Sequence, residues 1–379
     1  MGDSEFNKRE RCEMKIQIKK ENLLKATQII QNIISTKNTL PILSNILIET
    51  YENKIKLIGT DLEIGINYKI PAIIHESGAI TIPAKRFTDI VKELPDTDVL
   101  LSTLKNNTIS ITTEHTYFKL LGLPKDDFPK TPQFPEQDIL EIEQRMLKNM
   151  LIMTMFATSH DEARYILNGI LFSIKNQTFR LIATDGRRLA FIERQVQAPK
   201  DLTKEVIVPN KAVGELNRIL QEEGVIKIIF SENQLIFKTE NIILITRLIE
   251  GEFPNYEQVI PKESAYKIKI NTQRFLMGTR RAALLTHQDS QSIRIDLLKG
   301  KMVISKNTPE WGEAKDQIEV AYNGKEMSIG FNPHYLADAL KNIHQEEIDF
   351  ELDGPDKAGV IRTKDLENYV YLVLPMQLG

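Results

Sequence analysis

One cysteine, Cys12, is all that 379 residues contain. A single thiol closes no intramolecular disulfide and builds no cysteine zinc site, so a reducing cytoplasm is the natural setting. Long apolar runs are also missing. Stretches 242–245 and 147–155 are short or interrupted, far below the ~20 residues that a membrane span needs. Residues 1–13 (MGDSEFNKRERCE) lack the apolar stretch of a signal peptide and read as an extension, a tag or leader, ahead of a start at Met14. Net charge is small: the formal value is -3, and the extension holds four acids against three bases, leaving about -2 on the rest. Such a chain does not hold nucleic acid through bulk charge, so a role of that kind needs a local arrangement of lysine and arginine. No GxxxxGK[ST] phosphate loop is present. Six spread histidines, with His334 and His344 the only close pair, suggest no metal centre, and no cofactor is expected.

What is present is a soluble globular composition, 41% hydrophobic and 27% charged, which excludes disordered and fibrous classes. The length suits two or three domains. A repeat then fixes the organisation. Residues 22–35 carry Leu23, Leu24, Ile29, Ile30, Ile33 and Ile34 on one helical face, and 145–159 and 272–286 are comparable. Each is followed by a β-rich run, at 43–49, 167–174 and 292–298. A strand leading into a short helix also recurs three times, at 79–94, 206–220 and 328–343, with 126 positions from Pro83 to Pro209 and 123 from Pro209 to Asn332. The TD turns at Asp61 and Asp185 are 124 apart, and Phe128 and Phe253 are 125 apart. The period of about 120–126 residues fits three times after Met14, giving an extension over 1–13 and domains over 14–136, 137–262 and 263–379.

Nine further segments read as strands: 54–58, 99–104, 108–113, 225–231, 234–239, 242–248, 302–305, 348–351 and 370–374, β-branched and bounded by turn residues. Two helices and about eight strands per repeat make an α+β unit with its helices on one sheet face. The helices carry basic outer residues, among them Lys25, Lys85, Arg86, Lys148, Lys211, Arg218, Arg274 and Arg280. A solvated face explains any one of them. Six such helices in three equivalent units could instead line one basic surface while acids elsewhere cancel the total.

The segments TLPILSNILIE (39–49), GTDLEI (59–64), IPAKRFTDI (82–90), ARYILNGILF (163–172), ATDGRRLA (183–190), VIVPNKA (206–212), LIEGEFPNYEQVIP (248–261), IGFNPHYL (329–336) and YLVLPMQL (371–378) resemble bacterial β sliding clamps, the β subunit of DNA polymerase III, in order from Met14 to Leu378. The resemblance implies three DNA-clamp domains per chain, helices lining an inner face with antiparallel sheets outside, and a ring-shaped homodimer around duplex DNA. It implies no catalysis. Such a ring holds DNA by topology, so weak, sequence-blind basic contacts suit it and tight ones would hinder sliding. Head-to-tail contacts between two crescents close under a two-fold rotation. The implied partners are duplex DNA, a second copy, the replicative polymerase α subunit, the clamp loader and other clamp-motif proteins.

By the same resemblance, a hydrophobic peptide pocket falls on Leu167, Thr184, Gly186, Arg188, Leu189, Pro254, Val259, Asn332, Tyr335, Leu372, Val373, Leu374, Pro375, Met376 and Leu378. Without it, Leu167 and Leu189 read as core and 371–378 as a last strand. DNA contact falls on Lys37, Lys85, Arg164, Tyr165, Arg187 and Lys211, and subunit contact on Phe118 and Leu120 at one end with Leu284 and Leu285 at the other. On pattern alone the last four read as intradomain core. Departures from the family pattern are Gln258, Ser290 and Gln377 at the pocket rim, and Asp161 and Ile166 beside Tyr165. They bear on partner preference and predict weaker DNA contact. Asp61 and Asp185 read as turn residues. A hydrolase or transferase using those acids, or a monomeric peptide-binding module, are the competing readings.

Overall fold

The computed structural model describes residues 14–34, 40–132, 134, 137–287, 290–363 and 368–378. The first repeat runs β1 (Lys15–Lys19), α1 (Lys20–Ile33), β2 (Asn45–Tyr51), β3 (Lys54–Thr60), β4 (Ile64–Pro71), β5 (Ile73–Glu76), β6 (Ala79–Pro83), α2 (Ala84–Glu93), β7 (Asp98–Leu104), β8 (Thr108–Thr112) and β9 (Tyr117–Leu121). The second runs β10 (Ile139–Glu143), α3 (Gln144–Ile152), β11 (Gly169–Lys175), β12 (Thr178–Thr184), β13 (Arg188–Gln195), β14 (Lys204–Pro209), α4 (Asn210–Ile219), β15 (Val225–Phe230), β16 (Gln234–Lys238) and β17 (Ile242–Arg247). The third runs β18 (Tyr266–Asn271), α5 (Thr272–Ala283), β19 (Ile293–Leu298), β20 (Lys301–Thr308), β21 (Gly312–Glu319), β22 (Met327–Phe331), α6 (Pro333–Leu340), β23 (Glu347–Leu352), β24 (Gly359–Arg362) and β25 (Asn368–Val373). Three α+β repeats, each with two helices, are thus present as expected.

The repeats share sheets. Strands β10-β15-β16-β17 continue directly into β4-β3-β2-β6, and β14-β11-β12-β13 into β25-β24-β23-β18, making two eight-stranded antiparallel sheets. The joints are β17 on β4, from Ile242↔Tyr68 to Thr246↔Ile64, and β13 on β25, from Arg188↔Val373 to Glu193↔Asn368. Two shorter sheets, β5-β1-β7-β8-β9 and β21-β20-β19-β22, have no such continuation and leave β9 and β21 at free edges. By compactness the chain forms two units: the described residues up to Glu143 with Gly214–Arg247, and Gln144–Val213 with the residues from Leu248 onward. Each unit contains one of the eight-stranded sheets.

Alternation decides which residues face the core. In β3, Ile55 and Leu57 are fully buried between half-exposed Lys54 and Lys56, the period-two signature of a one-sided strand. In α1, Leu23, Ala26, Ile30 and Ile33 are buried at helical spacing. The helix starts at Lys20, two residues earlier than its apolar pattern.

The run 145–159 is not one helix: α3 ends at Ile152, and Met155–Ala157 form a separate 3₁₀ turn. Thr154 accounts for the break, since its Oγ1 donates back to the carbonyls of Met150 (2.8 Å) and Leu151 (3.3 Å). Strand β2 starts at Asn45, because Pro41 opens a 3₁₀ turn over Pro41–Ser44, and β11 starts at Gly169, with Leu167 closing the 3₁₀ segment Glu162–Leu167. Among the described residues no helix is long and apolar enough to cross a membrane.

Candidate functional site

The expected pocket residues converge in the second compact unit around the turn from Thr184 to Arg188. Asp185 Oδ1 accepts the N–H groups of Arg187 (2.9 Å) and Arg188 (3.1 Å). Thr184 Oγ1 accepts the Gly186 N–H (3.0 Å) and donates to the Arg188 carbonyl (2.6 Å). Gly186 sits at φ +86°, left-handed backbone that glycine adopts freely, and a Cβ there would lie 3.1 Å from Arg164 Nη1. Asp61 holds the first repeat's turn in the same way, accepting from Glu63 (3.0 Å) and Ile64 (2.8 Å). Both carboxylates are therefore turn acceptors, as their TD context predicts.

Arg188 is a buried node beneath this turn, only 9% exposed. Its Nε pairs with Asp185 Oδ2 (3.0 Å), Nη1 with Asp338 Oδ2 (2.9 Å), and Nη2 donates to the Phe156 carbonyl (2.6 Å). The guanidinium lies 4.3 Å from the Tyr335 ring centroid. Burial works against its charge, yet neighbouring Tyr371, Asp338 and Asp185 outweigh that and raise its pKa. Burial likewise opposes ionisation of Asp338, but hydrogen bonds from Lys341 (2.7 Å) and Arg188 hold its carboxyl below the usual range. Tyr371 donates its hydroxyl to the Tyr335 carbonyl (2.8 Å), and burial pushes that phenol far up. Such a cluster positions the turn, since removing one member strands the others without partners in a desolvated place.

Above this node lies an apolar floor. Leu189 and Leu372 are buried with Leu171, Ile182, Ile207, Val360 and Val370, and Ile166, Phe253, Tyr256 and Ile260 pack against them partly exposed. Past β25 the chain is strapped by two backbone hydrogen bonds, Leu374 N–H to the Arg187 carbonyl (2.9 Å) and Met376 N–H to the Gly330 carbonyl (2.8 Å). Gly330 permits that approach: a Cβ there would sit 2.4 Å from the Met376 carbonyl oxygen. This leaves Leu374, Leu378 and Val259 as exposed apolar side chains, Pro254 exposed, and Leu167, Tyr335, Pro375 and Met376 half-buried. Thr184, Arg188, Asn332, Leu372 and Val373 are buried supports; Asn332 caps α6 through the His334 N–H (2.9 Å). At the rim, Ser290 Oγ takes a short hydrogen bond from Lys306 Nζ, the Gln377 carbonyl accepts from Ser292 Oγ (3.3 Å), and Gln258 is exposed.

Of the residues expected to contact DNA, Lys37 lies outside the described residues. Lys85 on α2, Arg187 in the turn and Lys211 on α4 are exposed. Arg164 is exposed beside the same turn, donating to the Asp185 carbonyl (3.2 Å) and facing Asp161 (3.8 Å). Tyr165 is exposed next to it. Of the residues expected at the subunit contact, Leu284 is 76% exposed after α5, Phe118 is exposed on β9, and Leu120 and Leu285 are half-buried. An intradomain core position is therefore ruled out for Leu284 and Phe118. Tyr117 and Leu121, the latter 74% exposed, join Phe118 on the same edge strand.

Sequence reasoning missed Asp338 and the Phe156 carbonyl. Asp338 lies 150 positions from Arg188, and a backbone carbonyl leaves no residue signature at all.

Comparison with known proteins agrees with this architecture. Family models of the DNA polymerase III beta subunit match in order: the N-terminal domain over 14–132, the central domain over 141–255 and the C-terminal domain over 257–377. A beta sliding clamp of Chlamydia pneumoniae is 32% identical over 365 residues, covering 96% of this chain and 99% of that one. One of Pseudomonas aeruginosa is 33% identical over 368 residues, covering 96% and 100%. The crystal structure of a DNA polymerase sliding clamp from Bacillus subtilis superposes with a TM-score of 0.92 at 31% identity, covering 97% of this chain and all of that one. With three consecutive domain matches and full-length relatives above 30% identity, the chain belongs to the β sliding clamp family, the β subunit of DNA polymerase III.

Proposed function

We propose that this chain is a cytoplasmic processivity clamp, in which two copies close head to tail around duplex DNA and tether the replicative polymerase α subunit, the clamp loader and repair proteins. As a β subunit it is non-catalytic. The domains span 14–136, 137–262 and 263–379. One observation carries the ring: inside the chain, the last strand of one repeat twice pairs with the β4-type strand of another, β17 on β4 and β25 on β13. Strands β9 and β21 are the remaining members of those two classes, and both are free edges. Pairing β9 of one copy with β21 of the next repeats the internal joint, and two such contacts close under a two-fold axis. Phe118, Leu120, Leu284 and Leu285 flank that seam.

The groove above Arg188 supplies the tether. Its rim of Leu374, Leu378 and Val259, with soft Met376, suits short hydrophobic motifs from several partners. Lys37, Lys85, Arg164, Tyr165, Arg187 and Lys211 make weak, sequence-blind contacts with DNA, weaker still because Asp161 faces Arg164.

The test is retention on nicked circular DNA after treatment with loader and ATP, followed by linearisation. A topological ring stays on the circle and slips off the linear product; retention after linearisation overturns the reading. In sedimentation the chain should run at about twice its 43.5 kDa, and Leu284→Ala with Leu285→Ala should halve that mass. Deleting 375–378 should abolish binding of a polymerase-derived peptide while leaving the dimer intact.

A further inference from the structure

The first compact unit holds a cavity of about 240 Å³ that occupies the place in the repeat where the second unit has its groove. It opens between the Thr60–Ile64 turn, strand β4, the Phe128–Pro132 segment, and Gln234, Ile245 and Arg247 of β16 and β17. The correspondence is residue by residue. Asp61 stands for Asp185, Phe128 for Phe253, and β17 lies beside β4 as β25 lies beside β13. Ile64 pairs with Thr246 where Arg188 pairs with Val373, so Arg247 takes the place of Leu374.

The walls differ from those of the groove in a way that defines an occupant. Ile58, Phe128 and Ile245 form a buried apolar floor, with the backbone of Ile64–Ile66 beside it, and Leu62, 48% exposed, overhangs it. Leu62 holds φ +78°, backbone that its counterpart Gly186 occupies freely, so an apolar side chain is kept at the mouth against local preference. Asn67 lines the cavity, and its side-chain oxygen is buried without a hydrogen bond among the described residues. Among the described lining residues, Lys130 and Arg247 outnumber the one acid, Glu63, whose carboxylate reaches Arg247 at 3.8 Å. The volume falls below the roughly 300–1,000 Å³ of small-molecule sites, so it takes a pair of side chains rather than a whole cofactor.

We infer that this cavity is a second docking site, for a short extended peptide segment of a partner protein that carries two bulky apolar side chains followed by carboxylates. The apolar pair fills the floor under Leu62, and the carboxylates meet Arg247 and Lys130. The inference does not require the groove above Arg188 to bind anything.

The probe is a fluorescein-labelled Gly-Leu-Phe-Asp-Asp peptide titrated into the intact protein, read by anisotropy and by methyl NMR of isoleucine and leucine. Shifts at Ile58, Leu62 and Ile245 are expected, together with at least tenfold weaker binding for Arg247→Glu and for a Gly-Leu-Phe-Lys-Lys peptide. Leu62→Gly, which suits the turn's backbone and keeps the fold, should weaken binding severalfold. Shifts confined to Leu372, Leu374 and Leu378, or affinity unchanged by both Arg247→Glu and Leu62→Gly, overturn the inference. Shifts at Ile58 and Ile245 with none at Leu378 would support it and show that this peptide does not use the residues around Leu378.

Discussion

The turns at Thr60–Ile64 and Thr184–Arg188 start from the same two residues and the same hydrogen bonds, yet they hold their sites by opposite means. In both, the aspartate accepts two backbone N–H groups and the threonine hydroxyl bonds to the residue two positions on. Three residues past the aspartate they part: Ile64 is buried in an apolar wall, while Arg188 is buried among Asp185, Asp338 and a backbone carbonyl. Turn chemistry sets the backbone, and the next side chain inward decides whether the site rests on burial or on a polar node.

The sharpest way to break the comparison is to truncate both inward residues. Arg188→Ala should cost about 3–5 kcal/mol in urea unfolding, because Asp185 and Asp338 lose their shared partner. Ile64→Ala should cost about 2–4 kcal/mol through lost burial and a cavity. Lysine should rescue little at 188, since it cannot make the three-way fork.

Removing the shared aspartates should cost less and unequally. Asp185→Ala loses two turn bonds and the ion pair with buried Arg188, roughly 2–3 kcal/mol, whereas Asp61→Ala, which loses the matching two turn bonds, should cost about 1–2 kcal/mol. Equal losses would mean that the Asp185–Arg188 pair adds nothing beyond what Asp61 contributes.

Acid should separate the sites further. Asp338 has a folded pKa held below its unfolded value, so its contribution is complete above about pH 4 and fades as pH falls through the folded value. Unfolding midpoints of the wild type and Asp338→Asn should therefore differ at neutral pH and converge in acid; Ile64→Ala should keep its deficit throughout. The smallest effect is the glycine exchange. Leu62→Gly should stay within about 1 kcal/mol of wild type, as relief of left-handed leucine offsets lost burial and added chain freedom. Gly186→Leu should cost more, with its Cβ set against Arg164.

Much of the scaffold was legible because it repeats. Leu23, Ile30 and Ile33 keep helical spacing, the strands alternate, and two TD turns 124 residues apart announce equivalent units. The break after Ile152 was not, because its use is tertiary: the 3₁₀ turn turns the Phe156 carbonyl to Arg188, and apolar periodicity continues past the break. The groove was legible only through the ordered motifs of the resemblance. Val259, Leu374 and Leu378 are exposed apolar side chains in the structure, which periodicity alone cannot tell from core ones. The support for Arg188 came from 150 positions away, beyond the reach of any local pattern. Exposure of Phe118 and Leu284 was equally hidden, since their apolar neighbourhoods look like core until the sheet order places β9 at an edge.

Strand sharing has a mechanical consequence. Because β17 is zipped to β4 and β25 to β13 within continuous eight-stranded sheets, the internal boundaries behave like the leaves of a spring and not like beads on a cord. They can twist by small amounts shared over many hydrogen bonds, but cannot gape without tearing a whole row of them at once. A load applied across either joint is thus spread over its whole row of hydrogen bonds and cannot be relieved one strand residue at a time.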